Sequence, residues 1–185
     1  MSGRFAQAAL MAARGHAGQL RRGGNVPYIN HPLAVAAKVA GYCADEDMLC
    51  AAVLHDAVED TDISLQAVET AFGARVAGIV AELTDPPEWD DLPTPDRKAR
   101  QADEYRGASR EARIIKMADQ WSNLSDLSAM DTGKGAEWLA AYLRSALAVV
   151  DTCRAAAPAL AEEAEQAGQA LARRIDRMKA GRTGS

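Results

Sequence analysis

The stretch Leu54-His55-Asp56-Ala57-Val58-Glu59-Asp60-Thr61 decides how this chain is read. It continues an apolar stripe of Met48, Leu49, Ala52 and Val53, set at helical spacing behind Asp45, a residue suited to capping. An imidazole and a carboxylate side by side at the end of an apolar helix are costly to bury unless each finds a partner. Taken alone, the pair is equally what a histidine facing a helix C-terminus looks like. Its meaning depends on what the rest of the chain brings to the same place.

Upstream, His31 stands in Pro27-Tyr28-Ile29-Asn30-His31-Pro32, 24 residues before His55. Pro32 suits the first position of a helix that continues through Ala34, Val35, Val39 and Tyr42. If that helix and the next are antiparallel across a tight turn near Ala44, His31 and His55 meet. Downstream, Asp119 lies in mid-helix within Lys116-Met117-Ala118-Asp119-Gln120-Trp121-Ser122-Asn123, and Asn123 follows one turn later on the same side. Ile115, Ala118 and Leu124 form the apolar face of that helix. Two imidazoles and two carboxylates make a mixed nitrogen and oxygen donor set. Such a set suits Mn²⁺, with Fe²⁺ and Zn²⁺ as alternatives. An ion of this kind lowers the pKa of water and polarises a phosphoryl group.

The surrounding composition is that of an all-α protein. Of 185 residues, 48% are apolar, 40 are alanine and only 5% are aromatic, which favours packed helices over a sandwich of sheets. Helices are predicted over residues 5–16, from Pro32, behind Asp45, behind Ser64, over 76–83 and 97–105, behind Ser109, and over 138–154 and 160–178. Residues 21–25 and 85–95 read as loops; the second holds four prolines and is expected to lack regular structure. The tail from Gly181 is expected to fray. This pattern implies one helical bundle of about 8–10 helices spanning residues 1–185, with the motifs in 5–130 and further helices over 135–180.

A net charge of −5 excludes a general binder of nucleic acid or acidic membrane. Cys43, Cys50 and Cys153 form no C-x-x-C pair, so neither a zinc knuckle nor a disulfide framework is expected, and the thiols read as reduced and buried. No run approaches the ~20 apolar residues that span a bilayer, and no secretory signal is visible. A cytoplasmic protein is expected.

These motifs together resemble the HD superfamily of metal-dependent phosphohydrolases. The sequence is more closely similar to the hydrolase domain of the RelA/SpoT family in its stand-alone, small alarmone hydrolase form. Gly18-Gln19-Leu20-Arg21-Arg22, the His31 and His55 motifs, and the Lys116–Asn123 stretch carry the resemblance, in order, from about residue 5 to residue 130. The resemblance implies that His31, His55, Asp56 and Asp119 hold Mn²⁺, and that Glu59 and Asp60 position or activate the water nucleophile. It implies that Arg21 and Arg22 meet guanine and phosphate, that Asn123 contacts the nucleotide, and that Lys116 and Tyr28 line the pocket. His16 falls outside the metal set. Glu59 stands four residues after His55, so a continuing helix would point both into one pocket.

The implied activity is hydrolysis of the 3′-pyrophosphate of ppGpp or pppGpp, giving GDP or GTP and pyrophosphate. The partner is then a small nucleotide; the oligomeric state is left open. Gln120, Trp121, Ser122, Ser125, Val26 and Asn25 depart from the family pattern and suggest an altered substrate wall. That keeps an adenine alarmone or NADPH as alternative substrates, with a non-catalytic nucleotide-binding module as a third reading.

Overall fold

Alanine-rich segments with apolar residues three and four apart bury that stripe by packing helix on helix. The computed structural model describes residues 3–89 and 91–182. Its helices are α1 (Gly3–Gly15), α2 (Asn30–Ala40), α3 (Glu46–Leu54), α4 (Ala57–Asp60), α5 (Leu65–Phe72), α6 (Ala74–Leu83), α7 (Thr94–Glu104), α8 (Arg110–Ala129), α9 (Ala136–Cys153) and α10 (Pro158–Arg182). Short 3₁₀ turns lie at Pro87–Trp89 and Arg154–Ala156. Among the described residues the only extended pairing is an isolated antiparallel bridge between Leu20 and Pro27. The fold class is all-α.

Local chemistry sets the helix starts. Asp45, Ser64 and Ser109 each accept a backbone N–H of the first turn, from Asp47, Ala67 and Ala112. Each such cap contributes about 1 kcal/mol. Gly73, at φ +89°, ends α5 and lets α6 begin at the next residue.

Three stretches differ from the expectation. Helix α2 begins at Asn30, so Pro32 lies within the first turn rather than at its start. Nothing is lost there, because the first four N–H groups of a helix have no internal partner. Residues 85–95 are not irregular throughout: they contain the 3₁₀ turn and the start of α7, with Pro95 in its first turn. Proline is excluded from a helix interior, not from its opening turn. Asp90 lies outside the described residues. The tail expected to fray is helical at Gly181 and Arg182, and 183–185 lie outside the described residues.

Helix α8 is the axis of the fold, packed by α2, α6, α9 and α10. Val35, Val39, Leu54, Ile114, Ile115 and Met117 are fully buried in the larger core. A second cluster, Leu124, Leu139, Leu171 and Ile175, joins the far half of α8 to α9 and α10. Arg174 of α10 donates to the carbonyl oxygens of Leu127 (2.9 Å) and Met130, at the end of α8. A cation there matches the negative end of the helix dipole. Cys50 and Cys153 are buried, and Cys43 only partly, all three as free thiols. Among the described residues no helix is long and apolar enough to cross a membrane.

Candidate metal centre and substrate pocket

The start of α2 lies against the end of α3, so the two helices are antiparallel and the His31 and His55 rings stand 5.1 Å apart. Helix α3 stops at Leu54. His55 Nδ1 then donates back to the Ala52 carbonyl at 2.9 Å, which leaves the lone pair of Nε2 facing the cluster. Asp56, at φ −99° and ψ −3°, turns the chain into α4. Midway along α8, Asp119 reaches in from a third direction.

The ligand atoms of His31, His55 and Asp56 lie within 4.8 Å of one another, the only such group among the described residues. Asp119 Oδ1 joins them at 3.3 Å from His31 Nε2 and 4.0 Å from His55 Nε2. His55 Nε2 is buried and makes no hydrogen bond among the described residues, although Asp56 Oδ2 is 3.1 Å away. A buried imidazole nitrogen with its lone pair aimed at carboxylate oxygens is what a divalent ion needs. Electrostatics agree. Burial alone would raise both carboxylic acids; the imidazoles outweigh it for Asp56, and Lys116 with the imidazoles outweighs it for Asp119, holding both below the usual range. Burial would lower His55, but Asp56 and Asp119 pull its pKa up instead. The cluster attracts positive charge.

Supporting bonds surround the ligands. His31 Nδ1 meets Ser122 Oγ at 2.9 Å. Gln120 donates to Asp119 Oδ2 at 2.8 Å, and Asn123 donates to Oδ1 of the same carboxylate. Lys116, almost fully buried, places Nζ 3.4 Å from Asp119 Oδ2. The Tyr28 hydroxyl donates to Asp56 (2.7 Å) and Asp60 (3.0 Å). Burial and these carboxylates push its pKa far up, so it stays a donor.

The condition set on Glu59 is not met: the helix does not continue from His55, because the turn at His55 and Asp56 separates α3 from α4. Glu59 nevertheless lines the pocket. Its Oε2 accepts the Asp85 N–H and its Oε1 accepts from Arg97 Nη1, both at 3.2 Å. Burial, reinforced by the Asp85 charge, pushes its pKa up to about 7. Asp60 is raised by burial and by Asp56.

These groups open into a cleft of about 240 Å³. His31, Asp56, Asp119, Glu59, Asp60, Arg21, Arg22, Tyr28, Lys116 and Asn123 all line it, and His55 lies buried behind them. Arg21 forks onto Asp126 (3.0 and 2.8 Å) and bonds Asn123 Oδ1 (2.8 Å). Arg22 lies 5.3 Å from the Trp138 ring and 5.8 Å from that of Tyr142. Gly23 and Gly24, at φ +102° and +81°, let the loop turn behind them. His16 is outside the ligand group, with Nδ1 on Gln19 (2.8 Å) and its ring 4.7 Å from Tyr28.

The altered substrate wall expected from Gln120, Ser122 and Ser125 is not where the structure puts them. Gln120 and Ser122 are buried behind the ligands, and Ser125 bonds the Trp121 carbonyl. On α8 the residues that line the cleft are 116, 119 and 123, spaced three and four apart, and the space continues past 126 and 127; 120, 122 and 125 do not line it. Conversely, Arg97, Gln101 and Tyr142 line the cleft and were not singled out from the sequence. Arg97 and Gln101 stand four apart in a polar helix, a spacing that could have marked a shared face. Tyr142 is indistinguishable from the apolar stripe of α9. A wider groove of about 580 Å³, beside Leu10, Met11, Ile63 and Phe72, lies apart from this chemistry.

A cluster of two histidines and two aspartates in a helical bundle defines a metal-dependent class, and comparison with known proteins agrees. Residues 8–144 match the HD domain family. The guanosine-3′,5′-bis(diphosphate) 3′-pyrophosphohydrolase MESH1 of Danio rerio is 37% identical over 143 residues, 76% of this chain and 78% of that protein. MESH1 of Homo sapiens is 42% identical over 125 residues, 66% of this chain and 68% of its own length. The bifunctional (p)ppGpp synthase/hydrolase SpoT of Escherichia coli K12 is 37% identical over 137 residues, 71% of this chain but 19% of SpoT. A solved structure of a metazoan ortholog of SpoT that hydrolyses ppGpp superposes with a TM-score of 0.84 at 35% identity, covering 91% of this chain and 96% of that one. The chain belongs to the HD domain family, with MESH1 and SpoT hydrolases among its homologues.

Proposed function

We propose that this chain hydrolyses the 3′-pyrophosphate of guanosine alarmones such as ppGpp, releasing pyrophosphate and a guanosine 5′-di- or triphosphate. Residues 1–185 act in this reading as one HD-type hydrolase domain. The observation that carries it is the convergence of His31, His55, Asp56 and Asp119 beside Glu59, in a cleft entered past Arg21 and Arg22. The relatives named as 3′-pyrophosphohydrolases support the substrate.

When bound by these four residues, a divalent ion, for which we propose Mn²⁺, supplies a Lewis acid and makes water more acidic. The chain's own groups do the rest. Glu59, poised near neutrality, takes a proton from the attacking water at a carboxylate oxygen. Asp60, fixed by the Tyr28 hydroxyl, orients that water. The new bond forms between water oxygen and the phosphorus on O3′; the P–O3′ bond breaks and O3′ ends protonated. Lys116 offsets charge on the phosphoryl oxygens. Arg22, backed by Trp138 and Tyr142, presents a planar cation to the base, and Arg21 with Asn123 braces the same wall. The free thiols fit a reducing compartment, and we place the activity in the cytoplasm.

The test is product release in the presence of Mn²⁺, with guanosine and adenosine 3′-pyrophosphate nucleotides offered in parallel. Pyrophosphate should appear, faster from the guanine substrate. Orthophosphate in its place, or no product from either, would overturn the proposal.

A further inference from the structure

The cleft has two unlike groups of walls. Arg21, Arg22, Tyr28 and Tyr142 combine cations with aromatic faces, and the space beyond them continues toward Leu127 and Thr132 without touching α7. That is the chemistry of a planar base. The α7 side offers no open ring: Tyr105 is buried, with Lys116 Nζ 5.5 Å above it. It offers Arg97, whose Nη1 bonds Glu59 Oε1 at 3.2 Å and whose Nε lies 3.6 Å from Asp85 Oδ2. Asp85 is itself held by Gln101 Nε2 at 2.6 Å. Among the described residues no hydrogen bond uses Arg97 Nη2, and the side chain is 29% exposed, so an arriving anion can reach it.

We infer that Arg97 receives the distal phosphate of the 3′-pyrophosphate, making α7 the place where a pyrophosphate is told from a single phosphate. The inference rests on the activity proposed above. Glu59 must reach the water that attacks the proximal phosphorus. A guanidinium bonded to Glu59 therefore stands one step further along, where the distal phosphate lies. Glu59 and Asp85 would repel that phosphate, and Arg97 is the cation that binds both carboxylates at once. A guanidinium can keep one carboxylate and still fork onto phosphate oxygens.

The experiment compares wild type, Arg97→Ala and Arg97→Lys after their melting curves are matched. Each is assayed on guanosine 5′-diphosphate 3′-diphosphate and on the same nucleotide with a single 3′-phosphate. Pyrophosphate binding to the Mn²⁺-loaded protein is measured by calorimetry. Arg97→Ala should lose roughly 10- to 100-fold in kcat/KM on the diphosphate, chiefly through KM, and as much in pyrophosphate affinity. The 3′-monophosphate substrate should lose markedly less than the diphosphate, and Arg97→Lys should recover part of the loss. Equal loss on both substrates, or unchanged pyrophosphate affinity, would mean that Arg97 only holds Glu59 and would overturn the inference. A wild-type protein that releases no pyrophosphate defeats the proposed activity instead, while the calorimetry still decides the role of Arg97.

Discussion

The ligand cluster and the α7 wall face one cleft but are held by different means. Three of the four candidate ligands have hydrogen-bonded anchors of their own: His55 on the Ala52 carbonyl, His31 on Ser122, and Asp119 on Gln120 and Asn123. His31, His55 and Asp119 are all at most 5% exposed and are set in or directly beside helices of the buried core. Arg97 is held by carboxylates, through a hydrogen bond to Glu59 and a longer ion pair to Asp85, from a helix whose own interior is mostly polar. Bonds to backbone and buried amides cannot be exchanged for solvent without leaving a buried polar group unmet. An ion pair open to a cleft can exchange one anion for another at little cost. The cluster is therefore built to keep one geometry, and the wall to change partners when an anion arrives.

Breaking the cluster should give the largest effect. Asp119→Ala should lose bound metal, measured by elemental analysis of purified protein, and lower activity on the order of 10³-fold. Equal metal content in variant and wild type would refute the ligand set.

Glu59→Gln tests the boundary between the two regions. Activity should fall about 10²- to 10⁴-fold, as when a general base is removed. Stability should move the other way. The folded-state pKa of about 7 lies above the ordinary 4.5, so the fold is favoured while Glu59 is protonated and loses that stability as pH rises through 7. In chelator, Glu59→Gln should therefore melt higher than wild type at pH 8, by on the order of 3 kcal/mol at most. The difference should close as pH falls toward 4.5. A constant difference across that range would contradict the buried, raised carboxyl.

Ser122→Ala removes only the bond behind His31. Metal affinity should weaken roughly 10- to 100-fold, read by competition with a chelating dye, with the helical spectrum unchanged. The smallest effect on the centre is expected from His16→Ala, which should retain wild-type metal stoichiometry because His16 stands outside the ligand group. Loss of metal there would widen the centre beyond the four residues.

The difference between the two regions also explains what could be read from the chain. Asp119 and Asn123 share one side of a helix, so helical periodicity aims that pair; His55 and Asp56 are marked only by adjacency, and the turn between α3 and α4 brings both into the cluster. Asp45, Ser64 and Ser109 announce their helices by cap chemistry, and the all-α class follows from composition. The turn at Asp56 was not legible, because nothing in Leu54–Thr61 forbids a continuous helix; the bond from His55 Nδ1 back to Ala52 is a tertiary choice. Nor was the Glu59–Arg97 pair, whose members are 38 residues apart on separate elements. Counting prolines in 85–95 hid the start of α7, since a proline in a first turn looks the same in sequence as one in a loop. The substitutions at Gln120 and Ser122 were visible, but which way they face is a property of α8 in place.

Arg174 gives the C-terminal helix a hold on a centre to which it contributes no side chain. It closes the last carbonyls of α8, the helix that carries Lys116, Asp119 and Asn123. A proteolytic cut ahead of Arg174 would leave all four candidate ligands in the remaining fragment and still unfasten the far end of the helix that aims one of them. Resistance of the holoprotein to trimming from its C-terminal side would then report on metal occupancy, although ion and cut site share no residue.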